Sequence, residues 1–427
     1  MAMKAYESYK NVDLPWLKRV PEHWEVKRIG SLFSQRIEKV SDKVYAPLSV
    51  TKYGIVPQLS DAAKTNNGDD RKLVCVGDFV INSRSDRKGS SGLSKLEGSV
   101  AKINLVLKPR TALTGKYIHY LLKSNSFIEE YYRNGRGIVA DLWTTGFSDM
   151  KTIWLPVPPK EEQEQIVRYL DWQNSRLNKL ILNINRRIVL LKECLLAALH
   201  NSISKNNIML KLKRISKLEC DFISPCLNAS YQKIGMYNRG RGIFLRPTCL
   251  GRDLGDSKFQ RIYRNRLLIS GQFAWEDAVY VTQDKDQVGI ASHRYYQLSP
   301  RGGIPTEYLW AYFISDQGSQ KLVQCSHGAA GRNRPLNIKE LLETEIPVST
   351  DNSQVEYIVK IARKIISFQN LEKIAISLLQ EYRTRLVADV VTGQIDVRNI
   401  TIPNYETVTE TIDQPETAED EANTTEE

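Results

Sequence analysis

A chain of 427 residues with 41% hydrophobic and 26% charged side chains has the composition of a soluble globular protein and room for two or three domains with separate cores. Its six cysteines (75, 194, 220, 226, 249, 325) form no CxxC pair and its five histidines are dispersed, which argues against a disulfide framework or a zinc site. No apolar stretch approaches the roughly 20 residues that span a bilayer, and MAMKAYESYK has no signal-peptide core, so a cytoplasmic, metal-free protein without a membrane partner is expected.

The net charge of +11 hides a sharper division. From Asn399 onward there is no Lys or Arg but there are nine Asp or Glu, so residues 1–398 carry 60 basic against 40 acidic side chains, a balance of +20. Basic surfaces attract nucleic acid and release its counterions, which makes a polyanion the natural partner; a generally basic soluble protein is the plainer alternative.

Residues 1–155 hold short β-branched and aromatic runs, KLVCVGDFVIN (72–82) and SVAKINLVLKP (99–109), broken by Gly, Asn and Asp, and then a short helix YIHYLLKS (117–124). A mixed or antiparallel α+β domain follows from that pattern. Pro158-Pro159 then opens a central helix within 156–205. Leu177, Ile181, Ile184, Ile188, Leu191, Leu195 and Ala198 follow a 4-3-4-3 spacing that puts them on one seam. Residues 206–346 repeat the α+β character with NRLLISGQFAW (265–275) and YLWAYFIS (308–315). A distal helix within 347–397 carries Ile361, Ile365, Phe368, Ala375, Leu379, Tyr382 and Leu386, interrupted by Glu372 and ended by Gly393. Two unrelated amphipathic helices, each packed on its own domain, would give the same spacing. Two long seams at similar positions favour an intramolecular coiled coil, antiparallel because each helix follows a globular domain. The Thr-rich acidic tail, 398–427, has too few large apolar residues to pack and is expected to be disordered.

These elements form an internal repeat about 190 residues apart. YIHYLLKS answers YLWAYFIS, LPVP (155–158) answers IPVS (346–349), LLKE (190–193) answers LLQE (378–381), and KRIGSLFS (27–34) answers KRISKLEC (213–220). The unit is domain-sized, too long for a solenoid repeat, and implies a pseudo-twofold molecule whose partner itself has two sites.

Catalytic patterns are nearly absent. There is no GxxxxGK[ST] loop, no [DNS]PP[YFW] tetrapeptide of amino-methyltransferases and no GxG loop after a strand. Glu25-Val26-Lys27 matches only the end of a nuclease motif, and Ser148-Asp149 and His119 form no triad. What recurs instead is Arg or Lys among Gly, Ser and Asn. NSRSDRKGSSG (82–92) and RNGRG (133–137) stand in the first half, and YNRGRG (237–242), SHRYY (292–296) and HGAAGRNR (327–334) in the second. Arg can read guanine bidentately, Asn can read adenine, and Lys and Ser hold phosphates. The candidate DNA contacts are therefore Arg84, Arg87, Lys88, Arg133, Arg136, Asn238, Arg239, Arg241, Arg294, Arg332 and Asn333. PEHW (21–24) reads as a packing anchor for the N-terminal segment.

Four segments together resemble the specificity subunit of type I restriction–modification systems. They are WLKRVPEHWEVKRI (16–29), GDFVINSR (77–84), LPVPPKEEQEQIV (155–167) and LLQEYRTRLVADVVTGQIDV (378–397). The second boundary, IPVSTDNSQVEYIV, departs from the pattern by lacking the second Pro and the Glu-Gln pair. The resemblance implies two target-recognition domains, each reading half of a split double-stranded DNA sequence, and helices that hold two methyltransferase subunits. A restriction subunit with nuclease and translocase would join them. S-adenosylmethionine, ATP and Mg would belong to those partners and no cofactor to this chain. A stand-alone regulator using the helices as a spacer is the alternative in a different class. An autonomous nuclease built on Glu25 and Lys27 is a third. Apolar positions facing away from the seam, such as Leu190, Leu196 and Val387, separate the first reading from the second.

Overall fold

The longest elements are the two helices that the seam spacing predicts, Lys160–Lys205 and Asn352–Val391. The computed structural model describes residues 4–58, 68–110, 113–137, 143–205, 207–328 and 334–409. Compactness divides the chain into Met1–Leu180 with Ser377–Glu427, and Ile181–Ile376, so each unit holds half of each helix rather than a globular region alone. In the first unit Ile166 and Leu170 share a core with Leu386 and Val390, while in the second Leu195 and Leu199 share one with Val355, Ile358 and Ile365. As one helix advances the other recedes, so the two run antiparallel. The class is α+β.

Leu177, Ile188, Leu195, Ile361, Ile365 and Leu386 are buried in the seam, while Ile181, Ile184, Leu191, Ala198, Phe368, Ala375 and Leu379 are half-buried. Tyr382 departs from the expectation: it is 41% exposed. Its neighbour Arg383 turns inward instead and donates to Asn178 Oδ1 at 2.6 Å. Asn178, only 8% exposed, is thus a polar position within an apolar seam, the kind that fixes the register of paired helices.

In the first unit a four-stranded antiparallel sheet runs in the order Ser91–Leu93, Phe79–Asn82, Asn104–Pro109, Phe33–Arg36. The second has Ser216–Glu219, Tyr295–Pro300, Leu267–Ser270, Val279–Val281. It adds a five-stranded mixed sheet in which Ser230–Met236 runs parallel to Gly289–Ser292. A short antiparallel pair leads into each long helix. Trp154 faces Arg28 and Val157 faces Glu25 in one, and Glu345 faces Lys211 and Val348 faces Ile208 in the other.

The repeat is visible bond by bond. Tyr117 donates its hydroxyl to the Pro156 carbonyl at 3.4 Å, and Tyr308 to Pro347 at 3.2 Å. Ile29 N–H reaches the Ile153 carbonyl as Leu212 N–H reaches Thr344, and the Leu32 carbonyl accepts from Arg110 as Ile215 accepts from Arg301. These bonds correct one letter match. Ile29 corresponds to Leu212, not Ile215, so KRIGSLFS and KRISKLEC are three residues out of register. Lys27-Arg28 lie in the strand Glu25–Arg28, whereas Lys213-Arg214 lie inside the turn of helix Leu212–Ile215. The buried apolar pair one helical turn apart sets the equivalence, and the basic dipeptide is solvent-facing decoration.

The first unit closes on one carboxylate. Pro159 and Pro158 lack N–H groups, so the central helix starts at Lys160 with Glu161 and Glu162 in its first turn, where acids suit the helix dipole. Glu162 is buried and accepts from Tyr6 Oη (2.5 Å) and Trp24 Nε1 (3.0 Å), with His23 Nε2 at 2.7 Å. Burial and that carboxylate raise the Tyr6 hydroxyl far above its ordinary pKa. Gln163, also buried, accepts from Thr114 N–H and donates to the Pro158 carbonyl, both at 2.9 Å. Gly393, at φ +72°, sits where a Cβ would lie 2.3 Å from Pro21 Cδ and 3.2 Å from the Trp24 ring, so only glycine fits. Arg398 lies over the Tyr6 ring at 5.0 Å and pairs with Asp396 at 2.7 Å.

Beyond this point the chain departs from the expected disorder of 398–427. Ile400 and Ile402 pack on the first core, Gln165 donates to the Val397 and Ile400 carbonyls, and Ser175 Oγ both donates to the Glu406 carbonyl and accepts from Val408 N–H, each at 2.8 Å. The helix supplies the polar partners that the Thr-rich segment cannot find in itself. The remainder of the tail, 410–427, lies outside the described residues.

Glu162→Ala would leave buried Tyr and Trp donors without an acceptor, at a cost of about 3 kcal/mol. Hydrogen–deuterium exchange is expected to accelerate in 4–24 and 393–398 with the second unit unchanged. A second expectation concerns acid. His119, on helix Gly115–Lys123, is pushed down to about 4, first by burial and then by Lys123 and Lys95. The unfolded value is about 6.5, so its contribution is complete above pH 6.5 and is lost as pH falls toward 4, where only the unfolded chain holds the proton. The urea midpoint of the first unit should therefore drop between pH 6.5 and 5, and His119→Gln should flatten that drop.

Candidate nucleic-acid interface

In the first unit the strand Phe79–Asn82 leaves the sheet through a turn, 83–90, that contains the short 3-10 segment Ser85–Arg87. Two further segments frame that turn. Thr145 N–H reaches the Ser83 carbonyl at 2.9 Å, Ser85 N–H reaches Trp143, and Arg136 and Thr144 exchange both backbone bonds at 3.0 Å. Tyr132 Oη donates to the carbonyls of Asn82 (3.0 Å) and Arg87 (3.3 Å). The two Arg-bearing loops chosen from sequence, 82–92 and 133–137, are therefore one surface.

The cations on it are tethered but available. Arg84 pairs with Asp86 (2.9 Å), Lys88 with Glu129 (2.6 Å) and Arg136 with Asp149 (2.8 Å), and their side chains are 43%, 45% and 83% exposed. Ion pairs this exposed stabilise by at most about 1 kcal/mol, so a phosphate or a base edge can displace the acid. Arg87 is exposed on the same turn. Arg133 differs: its guanidinium forks onto buried Glu130 at 2.8 Å on both arms, which fixes the helix Asn125–Arg133. It holds the surface more than it offers itself to a ligand.

The same scaffold stands in the second unit. The strand Leu267–Ser270 leads to the turn 271–278 with its 3-10 segment Ala274–Glu276. Leu336 N–H reaches the Gly271 carbonyl at 2.7 Å, as Thr145 reaches Ser83, and His327 N–H reaches Pro335 at 3.2 Å, as Arg136 reaches Thr144. Gly271 also donates to the Arg294 carbonyl at 2.6 Å, and Arg334 lies over the Trp275 ring at 5.4 Å. Exposed Arg294 thus joins this surface. Arg332 and Asn333 lie outside the described residues.

Asn238, Arg239 and Arg241 are placed differently. Their hairpin tip joins the strands Ser230–Met236 and Ile243–Leu250, not the strands that flank the turn 271–278. Asn238 donates to Glu276 at 2.9 Å, Arg241 donates through Nε to the Asn238 carbonyl at 3.1 Å, and its guanidinium lies 5.6 Å from the Tyr237 ring. Arg241, half-buried, is spent within the hairpin and Asn238 on its tie to the turn 271–278, whereas Arg239 is exposed at φ +54°. Glycines and arginines in a loop signal close packing on a helix as readily as contact with DNA.

Sequence reasoning missed three features. Trp143, 37% exposed, stands on the first surface, and Trp275 with Arg334 on the second. The third is Lys123, whose ammonium donates to the carbonyls of Lys52, Gly89 (3.4 Å) and Ser91 (3.2 Å). Burial lowers it to about 8, so at neutral pH it remains a cation and a donor. Lys123 belongs to the helix YIHYLLKS, which was legible, but its reach to three carbonyls has no sequence signature.

Glu25 and Lys27 pair with each other on exposed strand positions, and no group of three or more His, Cys, Asp or Glu suited to a metal occurs among the described residues. No helix among them is long and apolar enough to cross a membrane.

No protein-family model matches the sequence, and no curated protein does. Solved structures do. The HsdS subunit from Thermoanaerobacter tengcongensis is 14% identical over 88% of this chain and 98% of its own, with a TM-score of 0.43. The S subunit of a type I restriction–modification system from M. genitalium is 15% identical over 86% and 96%, with a TM-score of 0.44. A chain from a structure describing complex assembly and conformational transition of the type I R-M system is 12% identical over 88% and 99%, with a TM-score of 0.50. The chain shares the fold of a type I restriction–modification specificity subunit.

Proposed function

We propose that this chain is the non-catalytic sequence-specificity subunit of a type I restriction–modification complex, with each unit reading one half of a bipartite, asymmetric double-stranded DNA target. One observation carries the reading: a single loop scaffold occurs twice with different contents. The turn is SRSDRKGS at 83–90, with three cations, and GQFAWEDA at 271–278, with two aromatic side chains and two acids. Main-chain bonds fix both turns in the same way, so their side chains are free to differ. That is what reading two unlike half-sites requires.

Helix surfaces supply the second support. Leu180 and Leu378 in the first unit, and Val189, Leu190, Leu371 and Ile374 in the second, are 48–60% exposed. Leu196 is half-buried, and Val387 packs partly against the first core. Exposed apolar rows on a helix call for a protein partner, and two methyltransferase subunits are the occupants in this reading. They would carry S-adenosylmethionine, with ATP and Mg on a restriction and translocase subunit. A stand-alone DNA-binding regulator has no use for these rows.

Long-read methylation sequencing of cells with and without the chain tests the reading. A split motif with methylated adenine in both halves is expected only when the chain is present, and its absence would refute the proposal. Arg84→Ala or Arg87→Ala should relax one half and Arg294→Ala or Arg334→Ala the other, each base-contacting Arg being worth about 1–3 kcal/mol at one position. Leu190→Glu with Ile374→Glu should abolish co-purification with the methyltransferase subunits while circular dichroism stays unchanged.

A further inference from the structure

The hairpin that carries Arg239 and Arg241 is gripped from both sides. From the helices, Lys192 Nζ donates to the Arg239 carbonyl (3.2 Å), Gln369 Nε2 to Gly240 (3.1 Å) and Lys373 Nζ to Arg241 (2.9 Å), so three successive carbonyls are each taken by a helix side chain. Lys373 also sits 4.1 Å from the Tyr237 ring centroid. On the other side the same peptides point their N–H groups at the reading turn: Arg239 N–H donates to the Glu276 carbonyl and Gly240 N–H to Asp277, both at 2.8 Å. The tip cannot relax away from either neighbour. Gly240 has φ +60°, and a Cβ there would lie 2.8 Å from Ile314 Cγ2. Gln369, at 6% exposure, has no water to replace the bond it makes.

The first unit holds its turn by another route. There the carbonyls of Gly89 in the turn itself, of Ser91 just after it and of Lys52 at a hairpin tip are gathered by Lys123 of the short helix Gly115–Lys123.

We propose that Lys192, Gln369 and Lys373 are positioning residues for DNA reading: they set the second reading turn, 271–278, directly from the long helices through the peptides of 239–241, while Lys123 sets the first turn from the short helix Gly115–Lys123, which Lys116 and Tyr120 tie to Asp171 of the central helix. The idea rests on the functional reading above and deepens it, because a partner that docks on the helices then bears directly on one half-site and only through an intervening short helix on the other. A rigid hydrogen-bonded chain with a helix at one end and a base-reading turn at the other is the physical link that such coupling needs. Lys192, Gln369 and Lys373 touch no base. Their effect passes through the main chain.

The test compares methylation of genomic sites carrying one mismatch in either half of the target, in cells expressing the unaltered full chain, the double variant Gln369→Ala with Lys373→Met, and Lys123→Met. The double variant is expected to relax discrimination in one half about five- to tenfold, the low end of the range typical of coupling between sites, and to leave the other half unchanged. Lys123→Met should relax the opposite half. Lys373→Arg, which keeps a donor, should restore discrimination when paired with native Gln369. Should the double variant fail to accumulate, Lys192→Met, which removes the longest of the three bonds, takes its place with the same expectation at smaller size. Equal relaxation of both halves, relaxation of the same half by Lys123→Met, or an unchanged profile in the folded variant would each overturn the inference. Failure of the unaltered chain to direct any split motif would overturn the functional reading instead, and the inference with it.

Discussion

A buried carboxylate has to be satisfied or it unfolds its surroundings, and the first unit is organised around one. Glu162 takes hydrogen bonds from Tyr6 and Trp24 and lies against His23 at the very turn where the central helix starts. Without those partners a carboxylate in a water-poor site would cost several kcal/mol. The partners come from the N-terminal segment, and that segment is in turn wedged against Gly393 at the end of the distal helix. Asp396 N–H donates to the Lys4 carbonyl at 2.8 Å and closes the same junction. Three sequence pieces that looked like separate signatures, around PEHW, PPKEEQ and TGQIDV, are thus one structural joint. The helix start, the chain's first strands and the distal helix end can be formed only together.

The second unit starts its long helix without a buried charge in the first turn. Its helix begins at Asn352, after Ser349 and Asp351. Asp351 Oδ1 accepts from Ser353 N–H (2.9 Å) and Oγ (2.7 Å), which lowers that carboxyl below its ordinary range, and Ser349 Oγ accepts from Asp351 N–H at 3.3 Å. That is a local cap, built within the five residues 349–353, with Asp351 and Ser353 exposed. The missing Pro and Glu-Gln pair of the second boundary follow from this: a self-capped helix needs no acceptor for a distant Tyr and Trp. Its tie to the domain is instead Arg363, which pairs with Glu307 of the short helix Thr306–Phe313 at 2.7 Å.

Regular periodicity was legible in the sequence; exchange of roles between neighbours was not. Both long helices follow from a seam of apolar side chains, because burial along a pair imposes that spacing wherever it occurs. Tyr382 and Arg383 show the limit. Spacing assigns the aromatic inward, but Arg383 finds Asn178, and a satisfied guanidinium displaces a ring that can lie on the surface. The segment 398–409 shows another: its composition predicts disorder because composition counts only what a segment offers, and its order comes from Gln165, Ser175 and Asn178 of a helix more than 200 residues earlier. The Arg-rich loops divide for the same reason. Those at 82–92 and 133–137 converge because Thr144 pairs with both Arg84 and Arg136, whereas the one at 237–242 turns its carbonyls to lysines and a glutamine that no local pattern announces.

How the turns 83–90 and 271–278 are fixed also explains why the two halves share geometry and so few letters. Ser83 and Gly271 are different residues, yet each carbonyl accepts one N–H from the segment that returns past it. Peptide groups supply these bonds, so they are indifferent to the side chain attached. A Ser, Arg, Gln or Trp can occupy the turn without changing its path, provided the sheet strand before it stays apolar and the returning segment stays extended. Constraint therefore falls on the scaffold, where Tyr117 and Tyr308 hold equivalent carbonyls, and is lifted from the turns. Exposed turn positions such as Asp86 and Arg87 can be replaced at little cost in stability, since exposed substitutions away from packed contacts change it by no more than about 0.5 kcal/mol, whereas 271–278 holds no exposed residue. Such a fold can vary the exposed positions of a turn while the helices stay as they are.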